Sequence, residues 1–342
     1  MKRVTIKDIA RIAGVSYATV SRALSNSPEI SAETRDRIKK ICEREGYRAN
    51  TLARSLISNR TNVLGLIVPD IANAFYSEVA YNIETYARRY GYNVMLCNSL
   101  HNLQQVTDLF NFLVGHQVDG IILCTSRDET REHVSRYFQT VPTVLFGDCS
   151  LDSMSDNCNS VSLDNFSGGR IGMEYLLRQG HTDVCYLGYR AHSSTHQHRL
   201  AGAQRAAEAA GATLRVVENP EDSSSIEAGH VLAKSVFSQP FTSTAIFAAT
   251  DALALGVMQA ADEFNLRVPE DVSLLGFDNC IYAGLPKINL TSVDQRKQQL
   301  AEASVDLLLQ LIAHRSEENI EYTRRIICPA LIERDTCIPA HK

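Results

Sequence analysis

Two groups of residues carry chemistry by type and spacing. The first lies near the N-terminus, where Ser16, Thr19 and Ser21 place three hydroxyls on a short stretch ending in Arg22. Hydroxyls suit phosphate oxygens, which position a protein on nucleic acid without specifying sequence, and an arginine can meet guanine O6 and N7 with both arms of its fork. The second group is spread down the chain, its members following or ending apolar runs: Phe75 and Tyr76, Asp148, Thr250 with Asp251, and Asp278, with Arg199 among them. Carboxylates and an arginine beyond the carboxyl ends of parallel strands can share out the hydroxyls of a sugar or the edges of a base, and aromatic rings can stack on either. His192, His196 and His198 precede Arg199. With no cysteine or carboxylate at matching spacing they read as part of a cleft loop, able to make a pocket pH-sensitive, rather than as a metal site. No Walker loop, GxGxxG, GxSxG or HExxH occurs, and no nucleophile is paired with a base, so the sequence points to a binding protein without cofactor or metal rather than to an enzyme.

The elements that position the first group are legible. Thr5 caps a helix, with Asp8 three residues on as a variant capping box, and Ile6, Ile9, Ala10 and Ala13 recur at helical spacing. Gly14-Val15-Ser16 breaks it. Ser16 caps a second helix, with Val20 and Leu24 inward and Tyr17, Ala18, Thr19, Ser21 and Arg22 left outside. Ser31 caps a third, with Thr34, Ile38, Ile41 and Cys42 on its buried side. Two short helices about a glycine turn, backed by a third, form an all-α helix-turn-helix. Asn50 can cap a further helix of about two turns, marginal in water and formed only when something holds it. From Asn62 onward, apolar runs at 63–68, 92–97, 120–124, 143–146, 184–187, 245–249 and 272–277 alternate with helical stretches at 78–90, 104–116, 168–179, 200–210 and 252–264. That alternation implies doubly wound parallel sheets, and its length suits two lobes around a cleft. The polar stretch 148–156 reads as a first crossing between lobes, 285–293 as a second, and 326–332 as a last strand. The expected organisation is a helix-turn-helix head at 1–49, a hinge helix and linker at 50–60, and a two-lobed α/β effector unit at 61–342. Its first lobe takes 61–161 and 292–322, and its second 162–291 and 323–342.

Composition agrees. The 342-residue chain has a net charge of −5, which alone argues against nucleic acid. Yet residues 1–60 hold 13 Lys and Arg against 6 Asp and Glu, so the segment carries +7 and the remainder −12. A basic head on an acidic body is the footprint of a DNA-binding module joined to something else. Nine cysteines without a CxxC pair read as reduced, buried hydrophobes. The N-terminus has no apolar core of a signal peptide and no run could span a bilayer, so a cytoplasmic location is expected. A transport-type solute-binding protein would need a signal peptide and no head. An architectural DNA protein with a vestigial cleft is disfavoured by the aspartates at strand ends.

Val4-Thr5-Ile6-Lys7-Asp8-Ile9-Ala10, Gly14-Val15-Ser16-Tyr17-Ala18-Thr19-Val20-Ser21-Arg22-Ala23-Leu24, Ser31-Ala32-Glu33-Thr34-Arg35 and Gly46-Tyr47 resemble the DNA-binding domain of the lactose/galactose repressor (LacI/GalR) family. Val118-Asp119-Gly120-Ile121-Ile122, Asp164-Asn165 with Gly168-Gly169, Gly180-His181, Arg199-Leu200-Ala201-Gly202, Asp251 to Gly256, Val268 to Ser273 and Gly276-Phe277-Asp278-Asn279 resemble the periplasmic-binding-protein-like effector domain of the same family. The resemblance implies a DNA-binding transcriptional repressor under allosteric control by a small metabolite, a sugar or sugar derivative or else a nucleobase or nucleoside. It implies base reading by Tyr17, Ala18 and Arg22. It also implies paired hinge helices in the minor groove, with Asn50, Ala53 and Leu56 at the DNA and Leu56 wedged between central base pairs. Phe75, Arg199 and Asp278 are implied as effector contacts. The implied assembly is a homodimer on a near-palindromic operator; no heptad tail follows the last strand, which favours a dimer over a tetramer. The chain departs from the family pattern at Ser25, where Asn is usual, Ala74 for Pro, Gly147 for an acidic residue, and Thr250 for Asn. Glu29 falls in a loop near the phosphates, where it must point away or lower non-specific affinity.

Overall fold

Short helices closed by strong caps make the head. The computed structural model describes residues 4–47, 60–125, 133–147, 158–189, 193–219, 223–315 and 322–340. The chain falls into two units, Met1–Thr61 and Asn62–Lys342. In the first, helices α1 (Ile6–Ala13), α2 (Tyr17–Leu24) and α3 (Ala32–Arg44) begin at Thr5, Ser16 and Ser31, whose side chains each accept a first-turn backbone N–H. Asp8 completes a capping box with Thr5. Gly14 ends α1 at φ 64°, a conformation glycine adopts without strain. Ile9, Val20, Ala23 and Ile38 are fully buried between the three helices. Ala23 takes the inward place expected for Leu24, which is only half-buried. Residues 50–59, with Asn50, Ala53 and Leu56, lie outside the described residues, as does Asp148.

The second unit contains two six-stranded sheets. The first holds β1 (Val63–Val68), β2 (Asn93–Asn98), β3 (Gly120–Cys124), β4 (Thr143–Phe146), β5 (Asn159–Leu163) and β11 (Arg324–Ile327), in the order β11-β5-β4-β3-β1-β2, all parallel. The second holds β6 (Asp183–Tyr189), β7 (Thr213–Asn219), β8 (Ala245–Ala248), β9 (Ser273–Asp278), β10 (Thr291–Asp294) and β12 (Ala330–Ile332), in the order β12-β10-β9-β8-β6-β7. Only β12 runs antiparallel to its neighbour. Helices α4 (Ala74–Arg89), α5 (Leu103–Gly115) and α10 (Lys297–Ala313) serve the first sheet; α6 (Asn165–Arg178), α7 (Ser194–Ala210), α8 (Ile226–Phe237) and α9 (Asp251–Glu263) serve the second.

The lobe boundaries differ from those read off the sequence. β5 belongs to the first sheet, so the first crossing follows Leu163 and not 148–156. β10 stays in the second sheet, so the second crossing falls at Gln295–Arg296 and not within 285–293. The expected single strand at 326–332 is two strands in different sheets. Pro329 separates them, and the third crossing lies there.

Candidate functional site

In the head, the outer face of α2 carries the residues expected at DNA. Tyr17 is 65% exposed, Ser21 and Arg22 are exposed, and Ala18 and Thr19 are half-buried. Ser16 Oγ accepts from Thr19 N at 3.0 Å and lies 2.9 Å from Thr19 Oγ1, so these two hydroxyls also build the cap. Thr5 Oγ1 donates to Asp8 Oδ2 at 2.7 Å within the capping box of α1. Glu29 turns back towards Arg22, with Arg22 Nη1 3.2 Å from Glu29 Oε2.

The second unit encloses a cavity of about 560 Å³ at the carboxyl ends of both sheets. Phe75, Tyr76, Arg199, Thr250 and Asp278 all line it. Their local settings differ from expectation. α4 begins at Ala74, so Phe75 and Tyr76 occupy a helical first turn capped by Asn73 rather than a loop. Their rings meet edge to face at 5.2 Å. Arg199 sits in the second turn of α7, and Thr250 is the N-cap of α9, its hydroxyl accepting from Leu253 N at 3.2 Å. Asp251 stands outside the cavity wall and is fully buried, accepting from Ser292 Oγ at 2.6 Å and Cys280 N at 2.7 Å. It bolts β9 to β10 and does not form a ligand-facing pair with Asp278.

Arg199 is buried and held on several sides. Its Nε donates to Asn165 Oδ1 at 2.9 Å and its Nη1 to Ala249 O at 2.8 Å; Nη1 also lies 3.5 Å from Asp278 Oδ1. The guanidinium lies 3.7 Å from the centre of the Phe277 ring. Burial pushes the Asp278 carboxyl up from its ordinary value, and Arg199 opposes that. Burial, with repulsion from Asp278, pushes Asp251 up to about 8. The glycine motifs explain the placement of Arg199. A Cβ on Gly169 of α6 would sit 1.8 Å from Arg199 O, and one on Gly202 of α7 1.9 Å from Phe166 O. The two helices therefore cross backbone to backbone. Gly147 has a comparable reason: at φ 136°, with its Cβ position 1.9 Å from Thr125 O, this backbone has no room for the acidic side chain usual there.

Several wall residues gave no sequence signal, because they sit on loops or were read as other elements. Asp70, Asn73, His101, Tyr189, Glu227, Tyr282 and Gln295 also line the cavity, beside Asn165 of the family-like Asp164-Asn165 segment. Gln295 donates its amide to Asp278 Oδ1. Lys297, buried at the start of α10, donates to Asp278 O at 2.7 Å and Asn279 O at 2.6 Å and lies 3.5 Å from Glu78 Oε2. It fixes the strained end of β9, where Asp278 has φ 115° and Asn279 φ 48°. The expected histidine loop is instead the start of α7. His196 is buried against Tyr189, with Nε2 3.2 Å from Glu218 Oε1; His192 lies outside the described residues. No group of three or more metal-ligating side chains occurs among the described residues.

A helix-turn-helix with an exposed reading helix, on the same chain as a two-lobed α/β unit with a polar cavity at its strand ends, defines a DNA-binding regulator built to respond to a small ligand. Residues 5–50 match the model for bacterial regulatory proteins of the lacI family, and residues 173–337 that for a periplasmic binding protein-like domain. The chain is 36% identical to catabolite control protein A of Priestia megaterium over 307 residues, 89% of this chain and 91% of that protein. It is 30% identical to the ribose operon repressor of Escherichia coli K12 over 333 residues, 96% of this chain and 98% of that one. A Lac repressor dimer bound to operator and an anti-inducer superposes with a TM-score of 0.84 at 26% identity, over 98% of this chain and 100% of that one. The chain belongs to the lacI family of bacterial regulatory proteins. It is a transcriptional regulator and not an enzyme, and no described helix is long and apolar enough to cross a membrane.

Proposed function

We propose that the chain acts as a homodimeric repressor that holds a near-palindromic operator and changes its grip when an uncharged carbohydrate enters the cavity of the second unit. The observation that carries this is the buried Arg199–Asp278 pair, presented beside Phe75 and Tyr76 in the cavity wall. Asp278 and Arg199 share ligand hydroxyls, Thr250 and Asp148 stand as further polar contacts, and Phe75 and Tyr76 stack on the ring. Among the described residues, the carboxylates of Asp70, Glu227 and Asp278 line the cavity with the guanidinium of Arg199. That balance disfavours phosphorylated sugars. The kinship with a ribose operon repressor supports a carbohydrate. In the head, Tyr17, Ala18 and Arg22 read base edges while Thr5, Ser16, Thr19 and Ser21 hold phosphates. Asn50, Ala53 and Leu56 act in the minor groove as a hinge that folds on DNA. Exposed Leu96, Leu100 and Phe112 in the first lobe and Ile281 and Leu285 in the second support pairing with a second copy through both lobes. A coupling of about 1–3 kcal/mol changes operator affinity roughly 5- to 150-fold.

The test is the melting temperature of the full-length protein against neutral sugars, sugar phosphates and nucleosides. A binder at about 100 times its dissociation constant stabilises by about 2.7 kcal/mol. A neutral sugar is expected to raise the melting temperature. Stabilisation by phosphates or nucleosides alone overturns the ligand class.

A further inference from the structure

Glu29 stands where a DNA-binding head should have no acid, and the structure gives its carboxylate one clear task. It meets Arg22, 3.2 Å away, and both side chains are exposed. The loop that presents it is built rather than slack. Ser25 Oγ donates to Arg22 O at 3.1 Å and Ser27 N to the same oxygen at 3.0 Å. Arg35 Nη2 donates to Ser27 O at 3.0 Å and Ile30 O at 3.1 Å, gripping the loop on both sides of Glu29. Glu29 N donates to Ser27 Oγ at 3.4 Å, and Lys39 Nζ to Asn26 Oδ1 at 3.2 Å. A surface ion pair of this kind adds little to stability, so stability does not explain such careful presentation. In a segment where bases outnumber acids by 13 to 6, it also weakens attraction to phosphates.

We infer that Glu29 is a specificity-determining residue that positions Arg22. The carboxylate meets the guanidinium at Nη1 and leaves Nε and Nη2 for guanine O6 and N7. On a wrong sequence, Arg22 can reach a phosphate only by leaving Glu29, whose charge then faces the phosphate backbone unpaired. The pair therefore costs non-specific binding more than specific binding. The inference rests on Arg22 reading a base.

The experiment uses the full-length protein and its Arg22→Ala, Glu29→Gln and double variants. Each is titrated by fluorescence anisotropy with an operator duplex and a scrambled duplex of equal length, between about 50 and 200 mM salt. Glu29→Gln is expected to tighten scrambled-duplex binding by roughly 3- to 10-fold at the low-salt end and to steepen its log–log salt slope by about 1. The operator-to-scrambled ratio falls accordingly, and the guanine under Arg22 is read less strictly. A merely structural role would not move the salt slope. In the Arg22→Ala background, Glu29→Gln no longer changes base discrimination. Unchanged slope and ratio in Glu29→Gln, while Arg22→Ala abolishes operator preference, overturn the inference. Loss of preference at a base pair other than that of Arg22 also overturns it, since Glu29 would then read that base itself. An Arg22→Ala variant that keeps full operator preference instead strikes the reading of Arg22.

Discussion

Replacing Asp278 with Asn tests the cavity at its most informative atom. In the wild type the carboxylate takes the Gln295 amide, lies 3.5 Å from Arg199 Nη1 and faces the fully buried Asp251. Burial opposes its charge, while Arg199, the Gln295 amide, Lys297 and the backbone N–H of Asp251 favour it. Asparagine keeps the shape and an acceptor oxygen for Gln295, removes the burial cost and relieves Asp251. Arg199 keeps Asn165 Oδ1 and Ala249 O. The opposing changes nearly cancel, so stability should move by no more than about 1 kcal/mol. Ligand binding has no such compensation. A hydrogen bond to a charged acceptor contributes about 1.5–3 kcal/mol against about 0.5–1.5 for a neutral one. The deficit of about 1–2 kcal/mol corresponds to roughly 5- to 30-fold weaker binding. Calorimetric titration of the variant with the cavity ligand measures that loss, and thermal unfolding and ligand-free operator binding should stay near wild type. Unchanged ligand affinity in a folded Asp278→Asn variant would refute the assignment of this carboxylate to the ligand.

Two further outcomes follow from packing and titration. Gly169→Ala places a methyl 1.8 Å from Arg199 O, where ordinary contact needs 3.4 Å or more, so α6 and α7 must part. Overpacking of this kind costs about 1–3 kcal/mol, a fall in melting temperature of roughly 2–12 °C, and ligand affinity should fall with it as Arg199 is displaced; a variant that melts and binds like wild type would show that the helix crossing does not set the arginine. His181 is buried, with Nε2 donating to Ile338 O at 3.0 Å and Nδ1 accepting from Thr244 Oγ1 at 2.8 Å, and burial holds its pKa below the ordinary 6.5. The unfolded chain therefore binds the extra proton first, so stability from this residue is present above about 6.5 and is lost as pH falls below it. Denaturant unfolding of wild type and His181→Gln between about pH 7.5 and about pH 5.5, roughly one unit either side of that value, should show the shallower dependence in the variant; parallel curves would remove His181 as the cause.

The sequence was most readable where local rules and global fold agree. Thr5, Ser16 and Ser31 are caps by residue type and caps in the structure, and Val63–Val68 is a continuous apolar run because both faces of β1 are covered. β5 was missed because Asn-Ser-Val-Ser-Leu has the composition of a loop. It is a strand because β4 and β11 flank it and satisfy its backbone. β11 and β12 read as one run because the short apolar stretch carries no mark of which sheet each half joins. In the cavity, Arg199 and Asp278 were legible from their places beside strand ends. Lys297 was not, since a lysine opening a helix normally reads as solvated. Only the fold brings it to the carbonyls of Asp278 and Asn279. Asp251 shows the converse: a carboxylate at a strand end can serve strand pairing alone.

In the proposed function, one chain reads DNA with its head under control of a ligand in its cavity. The most direct measurement is selection of bound duplexes from a random library by the full-length protein, followed by titration of the selected duplex with the cavity ligand. The expected result is enrichment of a near-palindrome with a deformable central step, and a roughly 5- to 150-fold change in its affinity on adding ligand, much reduced in Asp278→Asn at the same ligand concentration. Failure to enrich any sequence, with or without cell metabolites, or an operator whose affinity no cavity ligand changes, would contradict it.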